Sequence, residues 1–242
     1  MDKNFSREGS LLAWSALVLG SIIVLAIRLS AHAAQLEIGA GIAHAQTNGN
    51  GTWFQDGFPH TLRLNQPVAL IGVTGKFTRH MDWHLDAVSL GRYSSDSQDV
   101  LPDANYSATS ATHCNGPCNP FAHYMGNGRI WGIQALLSRH TSGAWQLGVE
   151  GGPFLYHETW ALSVPNWYEP AAPDGLHYNI ETRQQRWATG FVLGATLAHG
   201  PWTASLSYYS DGAGFPGHTG PWPPLWSSQT VATLTYRFGG VL

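Results

Sequence analysis

The sequence predicts an all-β protein folded as an eight-stranded antiparallel up-and-down β-barrel that spans a membrane. Three observations lead to this prediction. Apolar side chains recur at every second position, most clearly between residues 186 and 238, and alternate there with Gly, Ser and Thr. Long and short connections alternate between the apolar runs. Charged residues make up only 11% of the chain, against about 25% in a typical soluble domain.

Alternation alone does not show which strand face points outward, because the strands of a soluble lipocalin-like barrel also alternate apolar and polar residues, with the apolar side chains inward. A soluble barrel would carry Lys and Glu on its outward face. The polar face here consists mainly of Gly, Ala, Ser and Thr. Small residues suit the narrow lumen of an eight-stranded barrel. We therefore expect Phe191, Leu193 and Leu206 to face lipid.

Residues 1–33 predict a secretory signal peptide. A basic start at Lys3 and Arg7 precedes an apolar run, and Ala31-His32-Ala33 fits a cleavage site. An uncleaved anchor is the alternative, although the apolar run is at the short edge for a spanning helix. Both alternatives export residues 34–242, which we assign to the barrel.

Eight strands are predicted along residues 34–242. They begin near Leu36, Pro67, Trp83, Gly128, Trp145, Arg186, Trp202 and Val231. In the third strand, Val88 and Leu90 break the alternation, which predicts a β-bulge. Long loops are expected at about 47–65, 95–127, 158–184 and 211–227. Four long loops at one rim and three tight turns at the other are typical of outer-membrane barrels whose loops face outward.

Tryptophans are expected at both rims of the barrel. Trp83, Trp145 and Trp202 each follow a tight turn, whereas Trp187 lies at the loop side. Tryptophans at these depths would form girdles at the two membrane interfaces. Scattered core aromatics are the alternative, but three residues at the same position after a turn favour the girdle.

Seven charged residues fall on the face that we expect to point inward: Glu37, Lys76, Asp86, Arg129, Glu150, Arg186 and Arg237. Buried charges have to be paired, and eight strands leave little room for water. We therefore expect a charge network that plugs the lumen. A narrow solute pore is the alternative.

The two cysteines, Cys114 and Cys118, lie four positions apart in His113-Cys114-Asn115-Gly116-Pro117-Cys118. In an oxidising compartment this spacing predicts a disulfide that pins the second long loop. A metal site with His113 and His123 is the alternative, but no zinc-site spacing matches. We expect no metal and no other cofactor. The net charge of -3 gives no electrostatic reason to expect nucleic-acid binding.

Large aromatic residues are frequent in the expected loops: Trp53, Phe54, Trp160, Trp167, Tyr168, Trp222 and Trp226. Exposed apolar groups mark contact surfaces. These residues could bind a glycan, a lipopolysaccharide or an extracellular protein. They could equally pack on one another and stiffen the loops.

The architecture of residues 35–242, with the terminal Tyr236-Arg237-Phe238, resembles the small OmpX/Ail/Lom-type outer-membrane barrels. Such barrels usually end on the aromatic residue, whereas this chain adds Gly239-Gly240-Val241-Leu242. The resemblance implies the outer membrane of a Gram-negative bacterium, with outer-membrane lipid and lipopolysaccharide around the barrel. It also implies a non-enzymatic surface role: adhesion, resistance to external attack or modified surface recognition.

The segment Tyr208-Tyr209-Ser210-Asp211-Gly212 resembles the H-x-S-N motif of PagL-type lipid A deacylases, with Ser210 at the nucleophile position. Tyr208 occupies the position of the histidine base. The following strand offers no carboxylate for the acid. A serine nucleophile needs a base within hydrogen-bonding reach. We therefore expect no enzymatic activity, and Ser210-dependent hydrolysis of a lipid A acyl ester is the alternative.

Overall fold

The computed structural model describes residues 34–46, 52–55, 58–99, 122–169, 176–211 and 226–239. The expected signal peptide, the pair Cys114 and Cys118, and Trp222 lie outside these residues. The strands are β1 (Gln35–Gln46), β2 (Thr52–Gln55), β3 (Phe58–Thr61), β4 (Asn65–Thr78), β5 (Met81–Asp99), β6 (Ala122–His140), β7 (Trp145–Glu169), β8 (Leu176–His199), β9 (Trp202–Asp211) and β10 (Ser228–Arg237). No helix within the described residues is long and apolar enough to cross a membrane.

Eight strands close into an antiparallel barrel in the order β1-β10-β9-β8-β7-β6-β5-β4. β1 completes the closure, because Ile38 lies opposite Tyr236 on β10 and opposite Ile71 on β4. β2 and β3 form a separate two-stranded sheet. Each barrel strand therefore has two neighbours, which leaves no open sheet edge in hydrocarbon. The predicted eight-stranded up-and-down barrel is confirmed.

The outer surface of the barrel carries a band of exposed apolar side chains, which we call the apolar belt. Ile42 is 68% exposed, Leu193 60% and Leu206 58%. The residues of the belt are Ile38, Ile42, Ile71, Ile133, Leu137, Leu147, Val149, Phe191, Leu193, Leu197, Leu206 and Leu234. Water would solvate this surface poorly, whereas hydrocarbon accepts it. The apolar-outward direction is therefore confirmed, and the barrel is of the transmembrane type.

Aromatic side chains border the belt at both rims. Trp145 and Trp202 are exposed beside the tight turns. At the opposite rim, the rings of Trp131 and Trp187 lie edge to face, with centroids 5.3 Å apart. Trp83 is buried, because its ring covers Gly75, where an added Cβ would lie 2.6 Å from the Trp83 Nε1 atom. The aromatic positions suit girdles at the two interfaces of a membrane.

The strands differ greatly in length. β7 has 25 residues and β8 has 24, whereas β9 and β10 have 10 each. A tilted strand needs about 9–11 residues to cross a bilayer. β5 to β8 therefore continue beyond the loop-side ends of β9 and β10. We call this extension the projecting sheet. It occupies much of the range expected as a loop, 158–184, since β7 ends at Glu169 and β8 begins at Leu176.

A β-bulge interrupts β5 where its register against β6 shifts between Ser89 and Arg92. Gly91 lies within the bulge with a φ of 99°, a conformation that favours glycine. The predicted bulge is present, but Val88 and Leu90 point inward and are buried. The change of side-chain direction follows Leu90, and it turns Arg92 outward.

Candidate functional site

The half of the lumen beside the tight turns contains a charged network drawn from distant parts of the chain. His84 Nδ1 lies 2.8 Å from Glu37 Oε1, and His84 Nε2 lies 3.2 Å from Ser138 Oγ. Arg237 Nε lies 3.6 Å from Glu37 Oε2, and Arg237 Nη1 donates to Asp82 Oδ2 at 3.3 Å. The network therefore joins β1, β5, β6 and β10 across the lumen.

A third carboxylate, Asp86, extends this network toward the centre of the barrel. Gln134 Nε2 donates to Asp86 Oδ2 at 2.9 Å, and Tyr209 donates to Gln134 Oε1 at 2.6 Å. Gly72 lies opposite both Glu37 and Asp86 in the sheet. A Cβ at Gly72 would clash with Asp86 Oδ1. The missing side chain therefore lets the two carboxyl groups share one small volume.

Glu37, His84 and Asp86 each offer one donor atom within 4.8 Å of the others. An imidazole with two carboxylates is a donor set that a divalent cation can use. However, both His84 nitrogens already have hydrogen-bond partners, and the Arg237 guanidinium lies beside Glu37. A cation would have to displace the His84–Glu37 contact and lie near a positive charge. The arrangement therefore favours an ion-pair network over a metal site.

Above the charged network, buried rings fill the lumen in what we call the aromatic layer: Phe154, Tyr156, Tyr209 and Trp226. The ring centroid of Phe154 lies 5.2 Å from that of Tyr156 and 5.3 Å from that of Tyr209. The Tyr156 and Trp226 centroids are 5.1 Å apart. Below this layer, two lumen cavities lined by described residues measure about 40 and 20 Å³. Spaces of this size hold a few waters at most.

A third layer of the lumen, which consists of ion pairs, lies on the loop side of the aromatic layer. Arg186 Nε donates to Glu158 Oε2 at 2.5 Å, and Arg186 Nη2 lies 3.6 Å from Asp211 Oδ2. The Tyr156 hydroxyl donates to the Asp211 carboxylate. Glu158 is buried, so the Arg186 guanidinium rather than water stabilises its negative charge.

The structure places five of the residues expected in the lumen on its inward side: Glu37, Asp86, Glu150, Arg186 and Arg237. Glu150 accepts a hydrogen bond from Ser207 at 2.8 Å. Arg129 is exposed instead, because Ile130 is the inward residue there and Arg129 shares the outward direction of Trp131. Lys76 is exposed near the end of β4.

Two of the aromatic residues expected in exposed loops are buried instead. Trp160 alternates inward along the extended β7, and its ring fills the space beside Gly126. Trp226 packs on Tyr156 in the aromatic layer. Trp53, Phe54, Trp167 and Tyr168 belong to strands whose side chains are not described at these positions.

Sequence reasoning missed several lumen residues, among them His84, Gln134, Glu158 and Tyr209. His84 shares the inward parity of Asp86, which was the available signal. The partners of these residues come from other strands, so their contacts depend on a register that one sequence does not reveal.

Ser210 lies at the end of β9 and is 9% exposed. Its hydroxyl donates to the main-chain oxygen of Asp211 at 2.8 Å. Within the part of the chain that the structure describes, no histidine or carboxylate side chain hydrogen-bonds to Ser210. The described residues therefore supply no base that could activate this hydroxyl.

No protein-family model and no curated protein sequence matches the chain. Among solved structures, Ail, the attachment invasion locus protein of Yersinia pestis, is 11% identical with a TM-score of 0.38, and the match covers 85% of this chain and 97% of Ail. The N-terminal β-barrel domain of OprF from Pseudomonas aeruginosa is 10% identical with a TM-score of 0.36, covering 84% and 97%. The translocator domain of the autotransporter NalP from Neisseria meningitidis is 13% identical with a TM-score of 0.31, covering 95% and 98%. At these TM-scores the similarities assign no activity to this chain.

Proposed function

We propose that the protein is a bacterial outer-membrane barrel that acts as a non-enzymatic surface-interaction protein. The observation that carries this proposal is a lumen packed with buried aromatic rings, combined with a projecting sheet. The four buried residues of the aromatic layer pack on one another inside the described part of the barrel, which favours a filled lumen over a pore. The projecting sheet extends beyond the apolar belt, where it can meet molecules outside the cell.

The upper part of β8 gives the projecting sheet a way to bind an extracellular protein. Residues 180–184 pair with β7, whereas the described pairing of β8 with β9 begins only at Gly190 and Asp211. A partner strand could add to that second side through main-chain hydrogen bonds. Adhesion, resistance to external attack and modified surface recognition all require such a contact, and a glycan is the alternative ligand. The apolar belt would contact outer-membrane lipid, including lipopolysaccharide.

The experiment removes the projecting sheet and keeps the barrel. Because Thr159 pairs with Gln185, residues 160–184 can be replaced by a short Gly-Ser turn. A matched control replaces residues 141–144, at the other rim, with the same turn. Heat-dependent gel migration checks that both variants fold.

The readout is the binding of labelled cells to arrays of purified extracellular proteins and glycans. We expect wild type and the control variant to bind at least one arrayed protein, and the shortened variant to lose that binding. Equal binding by cells with the shortened variant would contradict the proposal. If the protein removes an acyl chain from lipid A and Ser210→Ala abolishes that reaction, the protein is a hydrolase and the proposal is wrong. If the protein conducts ions in planar bilayers, it is a pore and the proposal is also wrong.

A further inference from the structure

Three arginines meet on the outer surface of the barrel and line a cleft of about 750 Å³. They are Arg63, Arg92 and Arg129, and all three are exposed. Asn127 and Thr159 line the same space. We call this surface the arginine cleft. It lies outside the lumen and outside the upper β8 segment that the proposed function uses.

The arginine cleft brings like charges together, and the described residues that line it include no carboxylate. Arg92 lies directly opposite Arg129 in the pairing of β5 with β6. Like charges in directly opposite positions destabilise an antiparallel sheet. None of the ion pairs among the described residues includes any of the three arginines. A bound anion would convert this repulsion into attraction.

The main chain fixes the arginines in these positions. The amide of Arg63 donates to the main-chain oxygen of Ser94, and Gln66 Nε2 donates to the main-chain oxygen of Arg63 at 2.5 Å. Arg92 turns outward because of the bulge at Gly91. The bulge therefore builds the cleft, since an uninterrupted β5 would point Arg92 into the lumen.

The height of the cleft on the barrel indicates which anion it meets. Trp131 also lines the cleft and lies beside His157 and Trp187, with centroids 5.7 and 5.3 Å away. These rings form the girdle on the loop side. Arg129 lies two residues beyond Trp131, which is about 7 Å along the strand. Interfacial aromatics lie at headgroup depth, so the guanidinium groups reach the phosphate level of the leaflet.

We propose that the arginine cleft binds the phosphate groups of a phosphorylated lipid in the adjacent, loop-side leaflet. The guanidinium forks of Arg92 and Arg129 hold one phosphate between them, since Arg matches phosphate oxygens bidentately. Arg63 contributes a third charge, and Asn127 supplies hydrogen bonds to the headgroup. The Trp131 ring packs against the beginning of the acyl chains. This inference rests on the membrane location in the proposed function and is independent of the extracellular partner.

The test uses the triple variant Arg63→Gln/Arg92→Gln/Arg129→Gln, and the control variant Arg79→Gln/Arg139→Gln, whose two arginines are exposed at the opposite rim. Purified proteins in neutral detergent are mixed with diphosphorylated lipid A, with the same glycolipid lacking phosphate, or with inorganic phosphate. Native mass spectrometry then measures the bound lipid. We expect wild type and the control variant to retain diphosphorylated lipid A, and the triple variant to bind it at least about tenfold more weakly.

A second measurement separates binding from folding. Without anionic lipid, Arg92→Gln removes a like-charge pair, so its urea midpoint should equal or exceed that of wild type. Adding diphosphorylated lipid A should raise the midpoint of wild type more than that of Arg92→Gln.

Equal retention by wild type and the triple variant, or equal retention of the glycolipid without phosphate, would overturn the inference. Displacement by low millimolar inorganic phosphate would also overturn it, because the cleft would then be a site for a soluble anion. The lipid measurements do not depend on the result of the protein-array experiment. Failure of the surface-interaction role can therefore be distinguished from failure of the lipid site.

Discussion

His84 Nδ1 and Glu37 Oε1 lie 2.8 Å apart in the lumen although 47 positions separate the two residues in the sequence. Glu37 is on β1 and His84 is on β5, with β4 between them in the barrel. The contact therefore ties together strands that share no main-chain hydrogen bonds.

Replacing His84 with leucine should destabilise the barrel by about 3 kcal/mol, because the buried Glu37 carboxyl group loses a partner. The free energy of unfolding is measured by urea titration of the protein in lipid vesicles, with tryptophan fluorescence as the signal. His44→Leu makes the same substitution at an exposed position and should change it by less than about 0.5 kcal/mol. Equal effects of the two substitutions would mean that the lumen network contributes nothing to stability.

Gly72→Ala should lower the free energy of unfolding by about 1–3 kcal/mol, since its Cβ would clash with Asp86 Oδ1 and approach the main-chain oxygen of Leu85. The same vesicle assay applies. Gly239→Ala is the control, because an added Cβ there has no atom within 4 Å. If both variants have the same urea midpoint as wild type, the packing of the Glu37 and Asp86 carboxyl groups does not require the missing side chain at Gly72.

Leu193→Arg should destabilise the inserted barrel by about 2–4 kcal/mol, because Leu193 lies midway along the apolar belt. Leu197→Arg introduces the same charge nearer the tight turns, where the expected cost is about 0–1 kcal/mol. Insertion into vesicles and urea unfolding measure both. A larger cost at Leu197 would place the centre of the bilayer elsewhere on the barrel.

Arg186→Met should cost about 3 kcal/mol, because it removes the guanidinium that Glu158 accepts from at 2.5 Å. Adding Glu158→Gln removes the buried charge, so the double variant should be more stable than Arg186→Met alone. A double-mutant cycle of unfolding free energies gives the coupling. Simple additivity of the two substitutions would show that the ion pair has no net coupling.

The sequence predicts the membrane-spanning part of the strands well, because hydrocarbon imposes a strict rule on it. Every second residue of β9 and β10 must be apolar or small, and β9 begins at Trp202 as expected, whereas β10 begins at Ser228, three residues before the expected Val231. Beyond the belt that rule no longer applies. β7 continues through Trp160 and Pro165 without the membrane pattern, so alternation alone suggested a loop there.

Arg129 illustrates why the candidate sites were harder to predict. Polar residues within the belt must point inward, and applying that rule to Arg129 placed it in the lumen. Arg129 lies beyond Trp131, where an outward charge meets headgroups or water instead of hydrocarbon. Its neighbour Arg92 turns outward only through the bulge, so the cleft depends on register and height together. The disulfide between Cys114 and Cys118 stays a prediction.

The pairing of Glu37 with Arg237, at one end of the seam between β1 and β10, bears on how the molecule matures. A nascent chain that still lacks β10 cannot close the barrel, so β1 and β9 each leave a sheet edge with unpaired main-chain groups. Unpaired sheet edges can hydrogen-bond to other chains and lead to aggregation. Pairing of β1 with β10 is therefore the step that removes the last exposed sheet edges.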